Sequence, residues 1–224
     1  MTDSRSYFDE VSVAWDRMRT SFFSPELCAK VLRAAGVQPG TLAADIGAGT
    51  GFLTEGLLRK GVSVIAVDRS QAMLDVLLRK LPDVQGLQCR LGEGDSLPIE
   101  CDRTDYVFAN MFLHHVEEPE AAIREMARIL KPGGLLVITD LDRHDFEFLR
   151  VEQCDRWTGF AREEVWTWLG NAGLGEVSVV CANETCCSRS RESDRAACIS
   201  IFIARGRKAG APAHAVCGRT HPLR

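Results

Sequence analysis

The stretch DIGAGTG at residues 45–51 decides the fold, because it lies directly between an apolar run, LAADI, and a segment with helical spacing. Glycines in a turn that leads from a strand into a helix let a ligand approach the backbone closely. The free N–H groups at the N-terminus of the following helix attract a polar ligand. The stretch therefore predicts a cradle for a nucleotide or nucleoside at the end of the first strand.

The alternation of strand and helix continues on both sides of that turn, across residues 40–140. The apolar runs VSVIAV, LQCRL, DYVFA and LLVIT alternate with helical segments. Continuous apolar strands separated by helices are typical of a parallel sheet covered on both faces. The last two runs, EVSVVC and ISIFIA, have no helix between them, which predicts an antiparallel pair at the sheet edge. We therefore expect a doubly wound, mostly parallel, Rossmann-like α/β sheet with a C-terminal antiparallel edge strand.

The length of 224 residues fits one domain, which we place at residues 1–205. Residues 1–36 predict a helical cover, because Tyr7, Phe8, Val11 and Trp15 share one face at helical spacing. Residues 40–140 would form the cofactor-binding core, and the polar, cysteine-rich stretch 182–197 an insert after the sixth strand. Residues 206–224 lack a hydrophobic period, which indicates a flexible tail.

Composition excludes several classes of partner. Lys and Arg total 27 against 31 Asp and Glu, and a formal net charge of -4 leaves no basic surplus for nucleic acid. No apolar stretch reaches the roughly 20 residues that span a bilayer, and the polar opening lacks the apolar core of a signal peptide. We expect a cytoplasmic protein. Its nine cysteines are an odd number, and a chain of this size can fold without disulfide cross-links, so a disulfide framework is not the default.

A second acidic residue strengthens the nucleoside prediction. Asp68 ends the second strand, 23 residues after Asp45, where a carboxylate can accept both ribose hydroxyl protons. A dinucleotide-binding dehydrogenase would carry GxGxxG, whereas this chain carries GxGxG. The spacing points away from a pyrophosphate. Asp45, just before the glycines, suits a cationic group such as the amino end of a methionine moiety.

On these residues the chain resembles the class I S-adenosylmethionine-dependent methyltransferases, particularly the small-molecule branch that includes quinone and arsenite methyltransferases. The resemblance covers about residues 40–140. It is carried by DIGAGTG, by Asp68, by GEGDSLP at 92–98, by NMFLHHV at 110–116 and by LKPGG at 130–134. Glu93 departs from the Asp of many relatives, and the cysteine-rich stretch is not general in the family.

The resemblance implies S-adenosyl-L-methionine as the cofactor and assigns residues to its parts. Gly47, Gly49 and Gly51 would line the methionine part, Asp68 the ribose, Glu93 and the Gly94 backbone the adenine, and Asn110 the sulfonium. Met73 could pack on the adenine face, although a role in the hydrophobic core is equally consistent with its position.

The acceptor is expected beyond the carboxyl ends of the parallel strands. His115 follows the fourth strand and is a candidate base for an oxygen or carbon acid, as is Asp140 after the fifth. Cys154, Cys186 and Cys187 would lie close together at the same rim and could coordinate a soft metal or metalloid as thiolates. For these cysteines, binding of a soft metal or metalloid, a redox switch and the absence of a chemical role all stay open.

The leading hypothesis is methyl transfer to a small thiophilic acceptor such as arsenite, with Cys154, Cys186 and Cys187 as tentative metalloid ligands. Methylation of a quinone-like ring or other small metabolite is the second enzymatic interpretation. A thiol-cluster protein that binds a metal or metalloid without turnover is the alternative from another class. The expected partner is a small-molecule acceptor, with no nucleic acid and no membrane, for a monomer or small homo-oligomer.

Overall fold

A computed structural model describes residues 4–190 and 192–210. Seven strands form one sheet in the order β3-β2-β1-β4-β5-β7-β6. The strands are β1 (Leu42–Ile46), β2 (Ser63–Asp68), β3 (Leu87–Leu91), β4 (Thr104–Asn110), β5 (Leu130–Leu141), β6 (Leu174–Arg189) and β7 (Ala196–Lys208). The strand order reverses between β1 and β4, which is where an open α/β sheet leaves a crevice for ligands.

The first five strands pair in parallel, and β7 runs antiparallel to both of its neighbours, β5 and β6. This arrangement confirms the predicted mostly parallel sheet with an antiparallel pair at its edge. Within the pair, β7 lies inside and β6 forms the outer edge. Because β6 therefore points in the same direction as β1 to β5, its carboxyl end reaches the same rim as theirs.

Helices cover both faces of the sheet. They are α1 (Ser4–Val11), α2 (Trp15–Phe22), α3 (Glu26–Ala35), α4 (Phe52–Arg59), α5 (Gln71–Lys80), α6 (Pro119–Ile129), α7 (Phe148–Glu152) and α8 (Arg162–Asn171). Successive strand residues point to opposite faces, so Val64 packs with α3, α4 and α5, whereas Ile65 packs with α6 and α8. No helix among residues 4–190 and 192–210 is long and apolar enough to cross a membrane.

The predicted insert at 182–197 is mostly paired strand. β6 continues to Arg189 and β7 begins at Ala196, with one register shift between Cys181 and Thr185. Small or apolar side chains at Ala182, Cys186 and Ala197 are buried there, and this burial stabilises the extended pair. The polar residues between them interrupt the apolar pattern, so composition alone does not indicate that this stretch forms strands.

The chain also stays ordered beyond the predicted domain end at residue 205. β7 runs to Lys208, whose Nζ donates to the carbonyl oxygens of Ala127 and Leu130, 2.9 and 2.8 Å away, where α6 ends. A lysine there satisfies carbonyls that have no partner within the helix and interacts favourably with the helix dipole. The start of the predicted tail was therefore wrong for residues 206–208, and residues 211–224 lie outside the described part of the chain.

Candidate cofactor and acceptor site

A cavity of about 280 Å³ lies at the carboxyl ends of β1, β2 and β4. Its wall includes the predicted cofactor residues Gly47, Gly49, Asp68, Met73, Glu93, Gly94 and Asn110, together with His115. The structure thus brings together, in one concave site, side chains that lie up to 68 positions apart in the sequence. Such a site at a reversal of strand order is where this type of sheet binds ligands.

The glycine turn has little room for side chains. Gly47 has φ +68°, and a Cβ placed there would overlap the neighbouring ring of Phe112, which also lines the cavity. A Cβ at Gly94 would overlap the same ring, although the backbone of Gly94 is not in the left-handed region. The absence of a side chain at both glycines therefore lets the Phe112 ring pack directly against them.

Asp68 links β2 to the glycine turn. Its Oδ2 accepts a hydrogen bond from the Gly49 backbone N–H at 2.7 Å, and its Oδ1 accepts one from the Ser70 N–H at 2.9 Å. Burial raises the pKa of the carboxyl group against the lowering effect of these bonds. Each carboxylate oxygen has a second lone pair, so both can accept a ligand hydroxyl as well.

The remaining cofactor residues are held by their neighbours. Asn110 ends β4, and its Oδ1 accepts from the Thr139 hydroxyl on β5 at 2.7 Å. Glu93 lies 3.5 Å from the Arg69 guanidinium across the cavity mouth. Met73 is 1% exposed and contributes to the wall, so it serves the hydrophobic core and the cavity together.

Two predicted cofactor residues do not line the cavity. Asp45 is 2% exposed and accepts a hydrogen bond from the Thr54 hydroxyl at 2.6 Å. This bond joins the end of β1 to α4, on either side of the glycine turn. Burial raises the pKa of Asp45 to about 6. Gly51 has its Cα against Leu77 of α5 and likewise lies outside the wall. Both residues therefore shape the cradle, and neither is placed for direct contact with a ligand in the cavity.

The helical cover supplies side chains that the motifs did not predict. Phe8 of α1 and Trp15 and Arg19 of α2 all line the cavity. The guanidinium of Arg19 lies over the Phe52 ring, 4.3 Å from its centroid. Among the described residues, its buried Nε and Nη1 atoms have no hydrogen-bond partner. The spacing of four from Trp15 to Arg19, which places both on one helix face, was the available sequence signal.

Polar contacts fasten this cover to the core. The Ser70 hydroxyl donates to Asp9 of α1 at 2.5 Å, and the Thr50 hydroxyl donates to Asp16 of α2 at 2.6 Å. Lys80 on α5 pairs with Asp16 at 2.8 Å. Since Thr50 lies inside the glycine turn, the position of α2 is coupled to that of the cradle.

Behind His115 lies a buried group of three ionisable side chains, His114, Asp140 and Asp155. His114 Nδ1 is 2.7 Å from Asp140 Oδ1, and the other Asp140 oxygen accepts from the Leu113 N–H at 2.8 Å. Asp140 is 0% exposed, so it cannot meet an acceptor as the predicted base. Burial alone would lower the pKa of His114, but Asp140 and Asp155 outweigh it and raise the pKa to about 9.

His115 has the opposite electrostatic environment. Burial and the neighbouring His114 hold its pKa well below 6.5, so its ring is neutral at pH 7. Its Nδ1 lies 3.4 Å from the Cys154 carbonyl oxygen, and its ring packs edge-on against Phe8. It lines both the large cavity and a smaller one of about 40 Å³ behind it.

The predicted thiolate cluster does not form. Cys187 is disulfide-bonded to Cys198, its cross-strand partner on β7, and a disulfide sulfur cannot act as a thiolate ligand. Adjacent strand residues point to opposite faces, so Cys186 turns inward and lines the small cavity. Burial raises the pKa of its thiol to about 12. Cys154 lines neither cavity. The prediction of Cys187 as a catalytic and metalloid-binding thiolate was therefore wrong, as was the expected convergence of Cys154, Cys186 and Cys187 at one rim.

Two features of the large cavity fit S-adenosylmethionine. The glycine turn presents its backbone to the cavity at Gly47 and Gly49, and Asp68 beside it offers lone pairs to a diol. The partnerless N–H groups of Arg19 suit the carboxylate at the other end of the cofactor, because guanidinium groups pair with carboxylates.

Comparison with known proteins agrees with this fit. A family model described as a methyltransferase domain matches residues 44–138. A demethylmenaquinone methyltransferase of Renibacterium salmoninarum is 36% identical over 116 residues, which cover 52% of this chain and 48% of the relative. The chain spans about half the length of the curated relatives it matches.

Solved structures share the fold. A SAM-dependent methyltransferase from Aquifex aeolicus superposes with a TM-score of 0.63 at 21% identity, covering 91% of this chain and 97% of the other. Phosphoethanolamine N-methyltransferase 2 of Haemonchus contortus, in complex with S-adenosyl-L-methionine, superposes with a TM-score of 0.66 at 18% identity, covering 82% and 52%. Residues 44–138 therefore match a methyltransferase domain, and the chain shares the fold of S-adenosylmethionine-dependent methyltransferases.

Proposed function

We propose that this chain transfers the methyl group of S-adenosylmethionine to a small aromatic acceptor of the quinol type. The observation that carries the proposal is the aromatic wall of the cavity. The side chains that form this wall include Phe8, Trp15, Phe23 and Phe112. Aromatic walls bind flat apolar rings through burial of area and favourable edge or offset contacts.

The cofactor would be held along its length by residues already described. Gly47 and Gly49 would lie beside the methionine part, with Arg19 at its carboxylate. Asp68 would accept from the ribose hydroxyls, and Glu93 from the adenine amino group. Burial of Nε and Nη1 of Arg19 with no hydrogen-bond acceptor among the described residues is costly, so a ligand carboxylate at Arg19 would be favoured.

The bound cofactor supplies an activated methyl group, so the protein mainly contributes alignment and exclusion of water. Transfer of that methyl group to a ring carbon would leave S-adenosylhomocysteine and release the proton of that carbon. His115 lines the same cavity with a neutral ring, so it is the candidate acceptor of that proton and adds no positive charge beside the sulfonium.

Two observations favour this acceptor over arsenite. The disulfide removes Cys187 from any thiolate cluster, and Cys186 is protonated at neutral pH because its pKa is about 12. Curated relatives from two organisms carry the name demethylmenaquinone methyltransferase, which describes methylation of a quinone precursor by those proteins.

The test is turnover of labelled S-adenosylmethionine with a reduced, demethylated naphthoquinone that carries a short isoprenoid tail. We expect S-adenosylhomocysteine and a singly methylated naphthoquinol in equal amounts. Phe8→Ala should raise the KM for the naphthoquinol while leaving cofactor affinity unchanged, because Phe8 lies on the aromatic wall. Val13→Ala, which alters an exposed side chain between α1 and α2, is the matched control. Absence of naphthoquinol methylation by protein that binds the cofactor would refute the proposed acceptor.

A further inference from the structure

Three ligand-bearing side chains converge behind the large cavity. Asp155 Oδ1 lies 3.9 Å from His114 Nε2 and 3.8 Å from His115 Nδ1. Within the described part of the chain, this histidine–aspartate cluster of His114, His115 and Asp155 is the one group of three that could hold a metal ion. Neither distance is a hydrogen bond, since each exceeds the normal range by more than half an ångström.

The cluster also contains a buried polar atom that needs a partner. The Asp155 side chain is 3% exposed, and its Oδ1 has no hydrogen-bond partner among the described residues. A buried carboxylate oxygen without a hydrogen bond costs free energy, and the charge of His114, whose Nε2 lies 3.9 Å away, offsets this cost only in part. All three side chains line the cavity of about 40 Å³, which is large enough for an ion but too small for an organic cofactor.

We propose that the histidine–aspartate cluster is a binding site for a divalent transition metal ion of the zinc type. Two imidazole nitrogens and one carboxylate oxygen are a ligand set that zinc favours, and ligands at 2.0–2.1 Å in a tetrahedral arrangement lie about 3.3 Å from one another. The observed separations of 3.8 and 3.9 Å need a contraction of about 0.5 Å. Side-chain rotation within a small cavity can supply it.

The surroundings of the cluster match those of known metal sites. His114 has its other ring nitrogen, Nδ1, 2.7 Å from Asp140 Oδ1, and such a carboxylate behind a ligating histidine fixes the ring and its tautomer. Asp140 is in turn held by backbone N–H groups of residues 112–114. The Cys186 thiol lines the same small cavity but stays protonated at neutral pH, so the fourth position on the metal is left to water.

The inference does not depend on the proposed acceptor, because metal binding is measured without turnover. Full-length protein is stripped with a chelator and titrated with Zn²⁺ by calorimetry and with Co²⁺ by visible spectroscopy. We expect one equivalent to bind, with ligand-field bands typical of four-coordinate Co²⁺. Asp155→Asn and His115→Gln should each weaken binding by about a hundredfold or more, since each removes a ligand.

Matched variants separate the site from adventitious binding. His144→Gln alters a histidine of the same rim outside the cluster and should leave the affinity unchanged. Asp140→Asn should weaken it by about 10- to 100-fold, as expected for a group behind a ligand. Circular dichroism of the metal-free variants checks that each one folds. Wild-type protein that takes up no metal, or an Asp155→Asn variant with wild-type affinity, would overturn the proposal and assign a bridging water to the cavity.

Discussion

The Asp68 carboxylate accepts a hydrogen bond from the backbone N–H of Gly49 at 2.7 Å, which joins the end of β2 to the middle of the glycine turn. This bond makes the acidic residue and the glycine motif one structural unit. A ligand that binds at the turn therefore meets Asp68 at a fixed distance. A substitution at either residue should alter the position of the other.

Asp68→Ala should weaken S-adenosylmethionine binding at least tenfold. The ribose hydroxyls would lose a charged acceptor, and hydrogen bonds to charged groups contribute about 1.5–3 kcal/mol each. The Gly49 and Ser70 N–H groups would also lose their partner, so the unfolding midpoint should fall. Calorimetry with the cofactor measures the first effect. Asp75→Ala, on the exposed side of α5, is the control, and equal affinities in the two variants would contradict the assignment of Asp68 to the ribose.

Gly94→Ala should weaken cofactor binding without a large loss of stability. The added methyl group would push the Phe112 ring into the cavity, whereas the backbone at Gly94 needs no left-handed conformation. Gly170→Ala in α8 is the matched control, because a Cβ there meets nothing within 4 Å. Within a helix that change should raise stability by about 0.5–1 kcal/mol. Unaltered cofactor affinity in Gly94→Ala would show that the Phe112 position is not critical.

The sequence predicted the core of the fold because its strands are continuously apolar and its turns carry glycine or proline. LAADI forms β1, LQCRL forms β3 and the glycines end where α4 begins, as expected. Most of the cofactor wall followed from the same motif, since spacing along a βαβ unit fixes which residues reach the carboxyl ends of the strands.

The acceptor side could not be predicted in the same way. Asp155 and Arg19 lie outside any motif, and only tertiary packing brings them to the rim. The cysteines were misleading because their pairing depends on strand register. The β6 to β7 pairing that places Cys187 opposite Cys198 runs through polar residues, which look like a loop when only composition is considered.

Arg19→Gln should lower affinity for S-adenosylmethionine and S-adenosylhomocysteine by about tenfold or more, because a charge-assisted bond to the carboxylate is lost. Methylthioadenosine, which lacks the amino acid end of the cofactor, should bind the variant and the wild type equally well. This ligand pair distinguishes a carboxylate contact from general damage to α2. Loss of methylthioadenosine binding in Arg19→Gln would show that the side chain acts by packing on Phe52.

Asp45 should make the protein less stable as the pH rises through the weakly acidic range. Burial raises its native pKa from 3.8 to about 6, so the folded state keeps a proton that the unfolded state has lost. The stability that this proton provides disappears as pH rises from 3.8 to about 6, at about 1.4 kcal/mol per pKa unit. Asp45→Asn should therefore unfold at higher denaturant than wild type at pH 7, with a smaller difference near about pH 4.

Asp105→Asn provides a control of opposite sign. Partial burial alone would raise the pKa of Asp105, but Lys131 and the Leu42 N–H lower it below 3.8. Its charged form therefore stabilises the fold at neutral pH, and the Asn variant should be less stable there and nearly equal to wild type in acid. Identical pH profiles for wild type and Asp45→Asn would contradict the raised pKa of the buried carboxyl group.

Replacing both Cys187 and Cys198 with Ser should lower stability but leave the cofactor site intact. The disulfide closes a loop with a sequence separation of 11, and a loop of this size corresponds to about 2–3 kcal/mol in the chain-entropy account. Both residues lie outside the walls of the two cavities, so affinity for S-adenosylmethionine should not change. Denaturant unfolding of the double variant, compared with wild type in the presence and absence of a thiol reductant, measures the effect.

The exposed cysteine on β6 gives the matched control for that experiment. Cys181→Ser should leave the unfolding midpoint unchanged, and reductant should lower the midpoint of Cys181→Ser as much as that of wild type. In the double variant, reductant should have no effect, because no disulfide remains for it to break. A double variant as stable as wild type would contradict the stabilising role of the disulfide, and one that loses cofactor binding while folded would show that these cysteines act at the site.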